Sequence, residues 1–336
     1  MSYIGVDLHT TQLTVCYLKS LDDYQFKQYR LSEIEAFLAS LEAEDELAVE
    51  ACGNSRWLVR LVERRVSRVV VVNPSGFEVV KRSVKKTDQR DALNLARFLA
   101  VDMLPAVRVK SELAEAVGRM NETRNKLVGV KTSLMNKIHA LAVSRGWKLK
   151  KESLSSKKGL TKVTEFQWTA IERVELEIII EQIGNLKASI KRLDEVIAET
   201  GAQLSGFENL ISVTGIGARS AGVLLSVIGC VEDFETADKL ASYFGIVPRI
   251  SNSNERVNHG RITKRGSKMG RTTLVQCALV AIRYSPYLKK YYEQVKGRRG
   301  HGKAKIAAAR KYLGIIYHTL KNNWVFEDFN NFVLAE

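Results

Sequence analysis

The sequence predicts an α/β amino-terminal domain, then a long helical hairpin, then a mainly helical carboxy-terminal domain. Three observations predict it. Short apolar runs alternate with helix-periodic segments as far as Pro105; the apolar spacing then becomes a sustained 3,4 repeat; and beyond about residue 205 glycine-punctuated helical segments carry nearly all of the net charge. The domain boundaries that follow are 1–105, 106–205 and 206–336.

The first domain opens with Tyr3-Ile4-Gly5-Val6-Asp7, and a second β-rich run, Leu13 to Leu18, follows after a short polar turn. That is a hairpin signal with an acid on its first strand. Another apolar run, Leu47-Ala48-Val49-Glu50, also ends in an acid. It is followed by helical periodicity from Asn54 to Arg65 and by the buried, parallel-type run Val69 to Asn73, stopped by Pro74. The segment Thr87-Asp88-Gln89-Arg90-Asp91-Ala92 begins a helix that Thr87 can cap. The three-residue spacing of Asp88 and Asp91 puts both carboxylates on one helix face.

Asp7, Glu50, Asp88 and Asp91 are thus acids on a first strand, on a later strand and on a helix that would converge. Taken singly, each is ordinary solvated surface. Taken together in this chain order, they make a ribonuclease H-like arrangement for cutting nucleic acid, because magnesium is a hard cation that takes oxygen ligands, and a site using two ions needs several carboxylates from different elements. The basic residues around the helical pair, Lys81, Arg82, Lys85, Lys86 and Arg90, would hold a phosphate backbone beside the ions. A solvated basic face is the other reading of that run.

Composition excludes several classes. The chain of 336 residues is 45% hydrophobic, normal for a globular protein that needs no covalent staples. Its cysteines, Cys16, Cys52, Cys230 and Cys277, show no paired spacing and its histidines do not cluster with them, so neither zinc nor a disulfide framework is expected. The expected compartment is the cytoplasm. The amino terminus carries an aspartate where a signal peptide would be apolar, and the most hydrophobic stretch, Val223 to Val231, is too short to span a bilayer. Net charge is +15, and its placement is informative: Gly245 to Lys311 holds 17 Lys and Arg against only Glu255 and Glu293, while the rest balances at 35 against 35. A block this basic is the footprint of a surface that neutralises phosphates.

In the middle region, Leu113, Val117, Met120, Leu127, Leu134, Ile138 and Leu141 form one seam, with Arg124 and Lys131 occupying two of its positions. Leu176, Ile179, Ile183, Leu186, Ile190, Leu193 and Ile197 form a cleaner one. The Lys-, Ser- and Gly-rich stretch Lys148 to Lys162 between them reads as a loop at the tip of an antiparallel, coiled-coil hairpin. Such seams serve either packing within the chain or a dimer contact.

The third region has a helix-hairpin-helix pattern at Ile211 to Leu225, in which Gly215-Ile216-Gly217 would offer backbone N–H groups at a helix start to a DNA phosphate. A plain glycine turn is the alternative. The run Gly260-Arg261-Ile262-Thr263-Lys264-Arg265-Gly266, followed by Lys268, is basic and glycine-punctuated, as a loop lying on a phosphate backbone should be. Upstream, Arg249 and Arg256 bracket Ser251 and Ser253 in an asparagine-rich turn, where a serine can serve as a nucleophile on phosphorus or simply stabilise the turn. Gly297-Arg298-Arg299-Gly300-His301-Gly302-Lys303 has phosphate-loop spacing, but Ala304 stands where a hydroxyl should follow and the preceding segment reads as helix. Nucleotide hydrolysis is therefore not expected.

The ordered set Gly5-Val6-Asp7, Val49-Glu50-Ala51, Lys86-Thr87-Asp88-Gln89-Arg90-Asp91-Ala92, Thr214-Gly215-Ile216-Gly217, Phe244-Gly245-Ile246-Val247-Pro248 and Gly260 to Gly266 resembles the insertion-sequence 110 transposases. These are also called bridge recombinases, and Piv-type DNA invertases are their relatives. The resemblance implies a RuvC-like amino-terminal domain whose Asp7, Glu50, Asp88 and Asp91 bind magnesium, a coiled-coil linker, and a transposase domain contributing a serine nucleophile. By register between the flanking motifs that serine is Ser253. The family has glycine directly after it where this chain has Asn254, and Ser251 stays an alternative. The resemblance further implies donor and target DNA duplexes, a noncoding bridge RNA that pairs with them, and a homodimer or tetramer, with metal site and serine drawn from different subunits as one arrangement. A junction-resolving RuvC-like nuclease, an invertase without an RNA guide and an architectural nucleic-acid-binding protein are the rival readings.

Overall fold

The first strands follow directly from the alternation of the sequence. Tyr3–Leu8 (β1) and Gln12–Leu18 (β2) pair antiparallel, and β2 pairs in turn with Tyr24–Arg30 (β3). A 3-10 turn and the short helix Ile34–Leu38 (α1) lead to Glu46–Glu50 (β4), which lies parallel to β1 on its other side. Helix α2, Ser55–Val62, connects β4 to Arg68–Val72 (β5), again parallel. The result is a five-stranded mixed sheet in the order β3-β2-β1-β4-β5. The computed structural model describes residues 1–74, 76–77, 87–108, 110–253 and 256–326, with the side chains of 250–259 outside the described set. Lys81, Arg82, Lys85, Lys86 and Asn254 therefore lie outside the described residues.

Period-two alternation sorts the sheet's side chains onto two covered faces. Ile4, Val6, Leu13, Val15, Leu47 and Val49 bury against Phe37 of α1 and Leu58, Val59 and Val62 of α2. On the opposite face Ala48, Val70 and Val72 meet Leu95 and Leu99 of the helix Asp88–Ala100 (α3), while Cys16 and Leu18 meet Ala92 and Ala96 of the same helix. Strand β3 departs from the sequence reading, which has no strand there. Its residues are mostly exposed, as suits the edge of a sheet, and so carry little apolar signal.

The chain divides into two compact units, Met1–Val109 and Lys110–Glu336. In the second, Glu112–Ser144 (α4) is capped by Ser111, and Ala170–Gly201 (α6) opens with a reciprocal capping box between Thr169 and Glu172. They run antiparallel: Ile138 and Ala142 pack with Leu176 and Ile179 at one end, Val117 with Ile197 at the other. The Arg124 guanidinium donates to both Asp194 carboxylate oxygens across the pair, at 2.9 and 3.2 Å, which accounts for a cation on an apolar seam.

The tip of this hairpin corrects the expected loop. Residues Lys151–Ser155 form a 3-10 turn and Lys157–Thr164 (α5) a helix capped by Ser156; Leu154, Leu160, Val163 and Trp168 are buried beneath Trp147 and Phe166. Widely spaced apolar residues in a Lys- and Ser-rich stretch make a small folded cap once a second apolar surface is present.

The remainder gathers Phe207–Ser212 (α7), Ala218–Ile228 (α8), Ala237–Tyr243 (α9), Lys268–Tyr284 (α10), Pro286–Arg299 (α11) and His301–Lys321 (α12) around one apolar core. It is not purely helical. The stretch read as a polar turn pairs as an antiparallel ribbon, Pro248–Ser253 (β6) with Arg256–Ile262 (β7). Among the described residues no helix is long and apolar enough to cross a membrane.

Candidate active site

Strand register places the first two acids side by side. Val6 pairs with Val49 in the parallel β1–β4 ladder, so Asp7 and Glu50, one residue further along each strand, are neighbours at the same end of the sheet. Because Val6 and Val49 point toward α1 and α2, alternation turns Asp7 and Glu50 to the other face, the one α3 covers. Thr14, buried and opposite Asp7 on β2, closes the floor.

Helix α3 brings the other two. It seats directly on β1 at Gly5, where an added Cβ would lie 2.0 Å from the Ala92 carbonyl oxygen and 2.7 Å from the Ala96 nitrogen. Only glycine permits that approach. Ala92 and Ala96 thus sit over Gly5, and the first turn of α3 reaches the Asp7 end of the strand. Thr87 caps that turn by accepting from the Arg90 N–H at 3.3 Å, which fixes where the helix starts. Asp88 and Asp91 occupy the first turn, and the positive end of the helix dipole offsets part of the repulsion among the clustered carboxylates.

The closest gathering of ligand atoms contains a residue the sequence reading missed. His9 Nε2 stands 3.3 Å from an Asp7 carboxylate oxygen and 3.4 Å from one of Asp88, bridging strand and helix. Asp7, His9 and Asp88 offer atoms all within 4.8 Å of one another. Glu50 and Asp91 stand outside this closest group, Glu50 on the adjacent strand and Asp91 buried one helical turn further along. His9 lies in the β1–β2 turn, and Asn54 donates to its backbone carbonyl at 2.9 Å. The available signal was the Asp-x-His spacing at a strand end.

A cleft of about 570 Å³ opens beside Asp88, lined by Thr14, Phe26, Lys27, Gln28, Thr87 and Gln89. Lys27 and Gln28 come from β3, so among the described lining residues the edge strand absent from the sequence reading supplies the cation. A carboxylate-rich donor set at a helix start, open on one side to a polar cleft, suits a hard divalent cation that keeps part of its shell for substrate.

The carboxy-terminal candidates fall in the second unit. Gly215 has a left-handed φ of +96° and packs so closely on α10 that an added Cβ would lie 2.7 Å from the Cys277 carbonyl oxygen. Gly217 is exposed and directly precedes α8 as its N-cap. Arg249, Arg261, Lys264, Arg265 and Lys268 are all exposed. Their loop is held from behind: Gly245 and Gly266 have positive φ and lie against the Arg265 and Tyr243 carbonyls, and Arg271 donates to the Phe244 carbonyl oxygen at 3.1 Å. Ser253 pairs with Arg256 at the tip of the β6–β7 ribbon and Ser251 with Asn258; their side chains are outside the described set. The phosphate-loop spacing at Gly297 to Lys303 falls between two helices, α11 and α12, and not after a strand.

Two family profiles match the chain. A DEDD transposase profile of the IS110 type covers residues 4–144, and the profile described as Transposase IS116/IS110/IS902 family covers residues 207–293. Among similar proteins, the transposase for insertion sequence element IS1111A of Coxiella burnetii is 25% identical, over 94% of this chain and 89% of its own. A probable family 20 transposase of Pseudomonas aeruginosa is 28% identical over 70% of this chain and 71% of its own. The pilin gene-inverting protein of Moraxella lacunata is 26% identical over 97% and 98% respectively. The DEDD designation points to a divalent metal, in keeping with the carboxylates gathered around α3. With matched segments in both units and full-length relatives that are transposases, the chain belongs to the IS110 family of transposases, enzymes that cut and rejoin DNA.

Proposed function

We propose that this transposase moves a DNA element by using Asp7, Glu50, Asp88 and Asp91 to hold two magnesium ions and Ser253 as the nucleophile. The observation that supports the reading is that Asp7 of β1 and Asp88 of α3 offer ligand atoms within 4.8 Å of one another and of His9, with Glu50 on the adjacent strand and Asp91 on the same helix. The strand order, three antiparallel strands followed by two parallel ones, is compatible with a ribonuclease H-like domain of the RuvC kind.

When bound, magnesium stabilises charge on the attacking and leaving oxygens of a phosphodiester. The chain's own residues do the rest. Asp7 and Glu50 are fixed by the ladder, Asp88 and Asp91 by the capped helix, and His9 holds Asp7 and Asp88 in register. Arg261, Lys264, Arg265 and Lys268 steady the backbone of the DNA. Ser253 Oγ bonds to phosphorus while the phosphorus–oxygen bond to the sugar breaks and that oxygen leaves as a hydroxyl. Attack by a hydroxyl of a second strand reverses the step and restores the serine. One phosphoester bond replaces another throughout, so no nucleotide hydrolysis is required.

Choice of site is assigned to a noncoding bridge RNA that pairs with donor and target DNA, the protein reading backbone and shape. The support is the family and the exposed basic loop. Holding two duplexes requires a dimer or tetramer. A second reading, site-specific inversion without an RNA guide, is favoured by the match over almost the full length of both chains to a pilin gene-inverting protein. Ser251 is the alternative nucleophile.

The test pairs cleavage with trapping. Asp7→Asn, Glu50→Gln and Asp91→Asn are expected to fold normally and lose magnesium-dependent cleavage; near-normal activity in any two of them sinks the metal site. A protein–DNA adduct trapped on a nicked substrate and mapped by mass spectrometry is expected at Ser253. An adduct at Ser251 moves the assignment, and recombination without any adduct removes the serine step.

A further inference from the structure

The run from Gly297 to Lys303 has no role in the chemistry above, yet it forms one wall of a large opening in the second unit. A cleft of about 1190 Å³ lies between α11, α12 and the base of the β6–β7 ribbon. Its apolar lining is Ile246, Ile262, Val295 and Ile306, with half-buried Tyr291 beside them. Around this lining stand Arg261, Lys264, Arg298, Arg299, Lys303 and Lys311. The carboxylate among the described lining residues, Asp238, is paired with Arg310 at 2.8 Å and so leaves the positive charge of the others uncompensated.

Two glycines argue that the space is kept open. Gly302 and Gly314 both lie on α12 and line the cleft, and a Cβ added at either would meet nothing within 4 Å. Neither glycine has a positive φ, so no turn requires it. Gly314 lies in the helix interior, where glycine weakens a helix, and packing does not repay that loss here. Side chains at these positions would intrude on the cleft.

The shape and chemistry select an occupant. At about 1190 Å³ the opening exceeds the roughly 300–1,000 Å³ of small-molecule sites, so a chain segment suits it better than one metabolite. Duplex DNA presents phosphates outward and keeps its bases stacked inside, which leaves an apolar lining with nothing to contact. A single strand presents both surfaces together: phosphates for the cations, and base faces for an apolar and aromatic lining. We propose that this cleft binds a single-stranded segment of DNA, its phosphates on Arg298, Arg299, Lys303 and Lys311 and its unstacked bases on Tyr291 and the apolar lining. The inference rests on the DNA-processing activity of the family and is independent of which acids bind metal and which serine attacks.

The experiment measures binding of a short fluorescein-labelled oligodeoxynucleotide to the full chain by anisotropy, as a single strand and as a duplex of the same sequence at the same salt. Gly314→Leu fills the cleft with a good helix former and is expected to weaken single-strand binding roughly ten-fold, as is Tyr291→Ala, with duplex binding changed less than about two-fold. Tyr291→Phe, which keeps the ring, should bind the single strand like the parent chain, and an unfolding temperature of Gly314→Leu at or above the parent's would show that the loss is local. Equal losses for strand and duplex would reduce the cleft to general basic surface and overturn the proposal. So would unchanged single-strand binding in both variants, or displacement of the oligonucleotide by polyglutamate as readily as by unlabelled strand. Failure of the metal site reads out separately, as Asp7→Asn that still cleaves while strand selectivity is intact.

Discussion

Replacing Gly5 by alanine tests the link between the fold and the acids. The new Cβ would stand 2.0 Å from the Ala92 carbonyl oxygen, and both this atom and the Ala96 nitrogen at 2.7 Å belong to helix backbone that no rotamer change can move. To reach an ordinary contact α3 must retreat from β1 by about 1.4 Å or more, because a packed interior has no slack to absorb it. Overpacking of this kind costs about 1–3 kcal/mol, and the loss of glycine's freedom in the unfolded chain returns about 0.4–1 kcal/mol, leaving a net loss of about 1–2 kcal/mol. The effect on chemistry is larger. Asp88 and Asp91 ride on α3 while Asp7 and Glu50 stay with the sheet, and a misplacement of about 1 Å between reacting groups costs on the order of 100-fold in rate. Urea unfolding and divalent-metal-dependent DNA cleavage of Gly5→Ala, beside Gly53→Ala as a control whose Cβ meets nothing within 4 Å, measure both quantities. Parental stability together with parental cleavage would refute the seating of α3 on β1 as the device that assembles the site.

Removing the imidazole with His9→Ala should leave the fold intact and weaken divalent-ion binding by roughly ten-fold in calorimetry, as loss of an orienting neighbour does; an unchanged affinity would remove His9 from the site. Neutralising Arg261, Lys264 and Arg265 together should flatten the dependence of log affinity on log salt by roughly one unit per lost phosphate contact, and an unchanged slope would show that these cations face only solvent. The cysteines should separate by reactivity at pH 8. Burial pushes the Cys16 thiol up to about 11 and raises that of Cys277, and the hydrogen bond to Glu232 raises Cys230, so exposed Cys52 should label first and the buried pair only on unfolding. Prompt labelling of Cys16 or Cys277 in the folded protein would contradict their burial.

What was legible in the sequence was what short-range pattern encodes. Asp7 and Glu50 end apolar runs that can only be buried strands, Thr87 with Asp88 and Asp91 is a capped helix start, and the Ile and Leu repeat from Leu176 to Ile197 gives one buried stripe on α6. Strand β3 was not legible, because an edge strand needs pairing and not burial: Tyr24, Gln25, Lys27 and Gln28 gain partners through β2 without any apolar period. The ribbon β6–β7 escaped for the same reason, as backbone pairing leaves no mark on Ser251-Asn252-Ser253. At the hairpin tip, Leu154, Leu160 and Val163 are too widely spaced to read as a core until Trp147, Phe166 and Trp168 close over them.

The site itself divides along the same line. Its acids are read from strand ends and a helix cap, which are local, whereas the contacts that join them across strand and helix are made only by the tertiary fold. His9 reaches Asp7 and Asp88 only because β1 turns into β2 beneath the start of α3, and Lys27 enters the neighbouring cleft only because β3 pairs with β2. The excess positive charge, meanwhile, sits between Gly245 and Lys311 in the other unit, spread over the β6–β7 ribbon, the loop after it pinned by Gly245, Gly266 and Arg271, and helices α10 to α12. Acids gathered for a cation would repel a phosphodiester if they had to attract it themselves. On the proposed reading, cations held apart from the acids would capture DNA while the carboxylates stay dense enough to hold metal, so neutralising Arg261, Lys264 and Arg265 should weaken DNA binding while leaving the affinity for divalent ions in calorimetry unchanged.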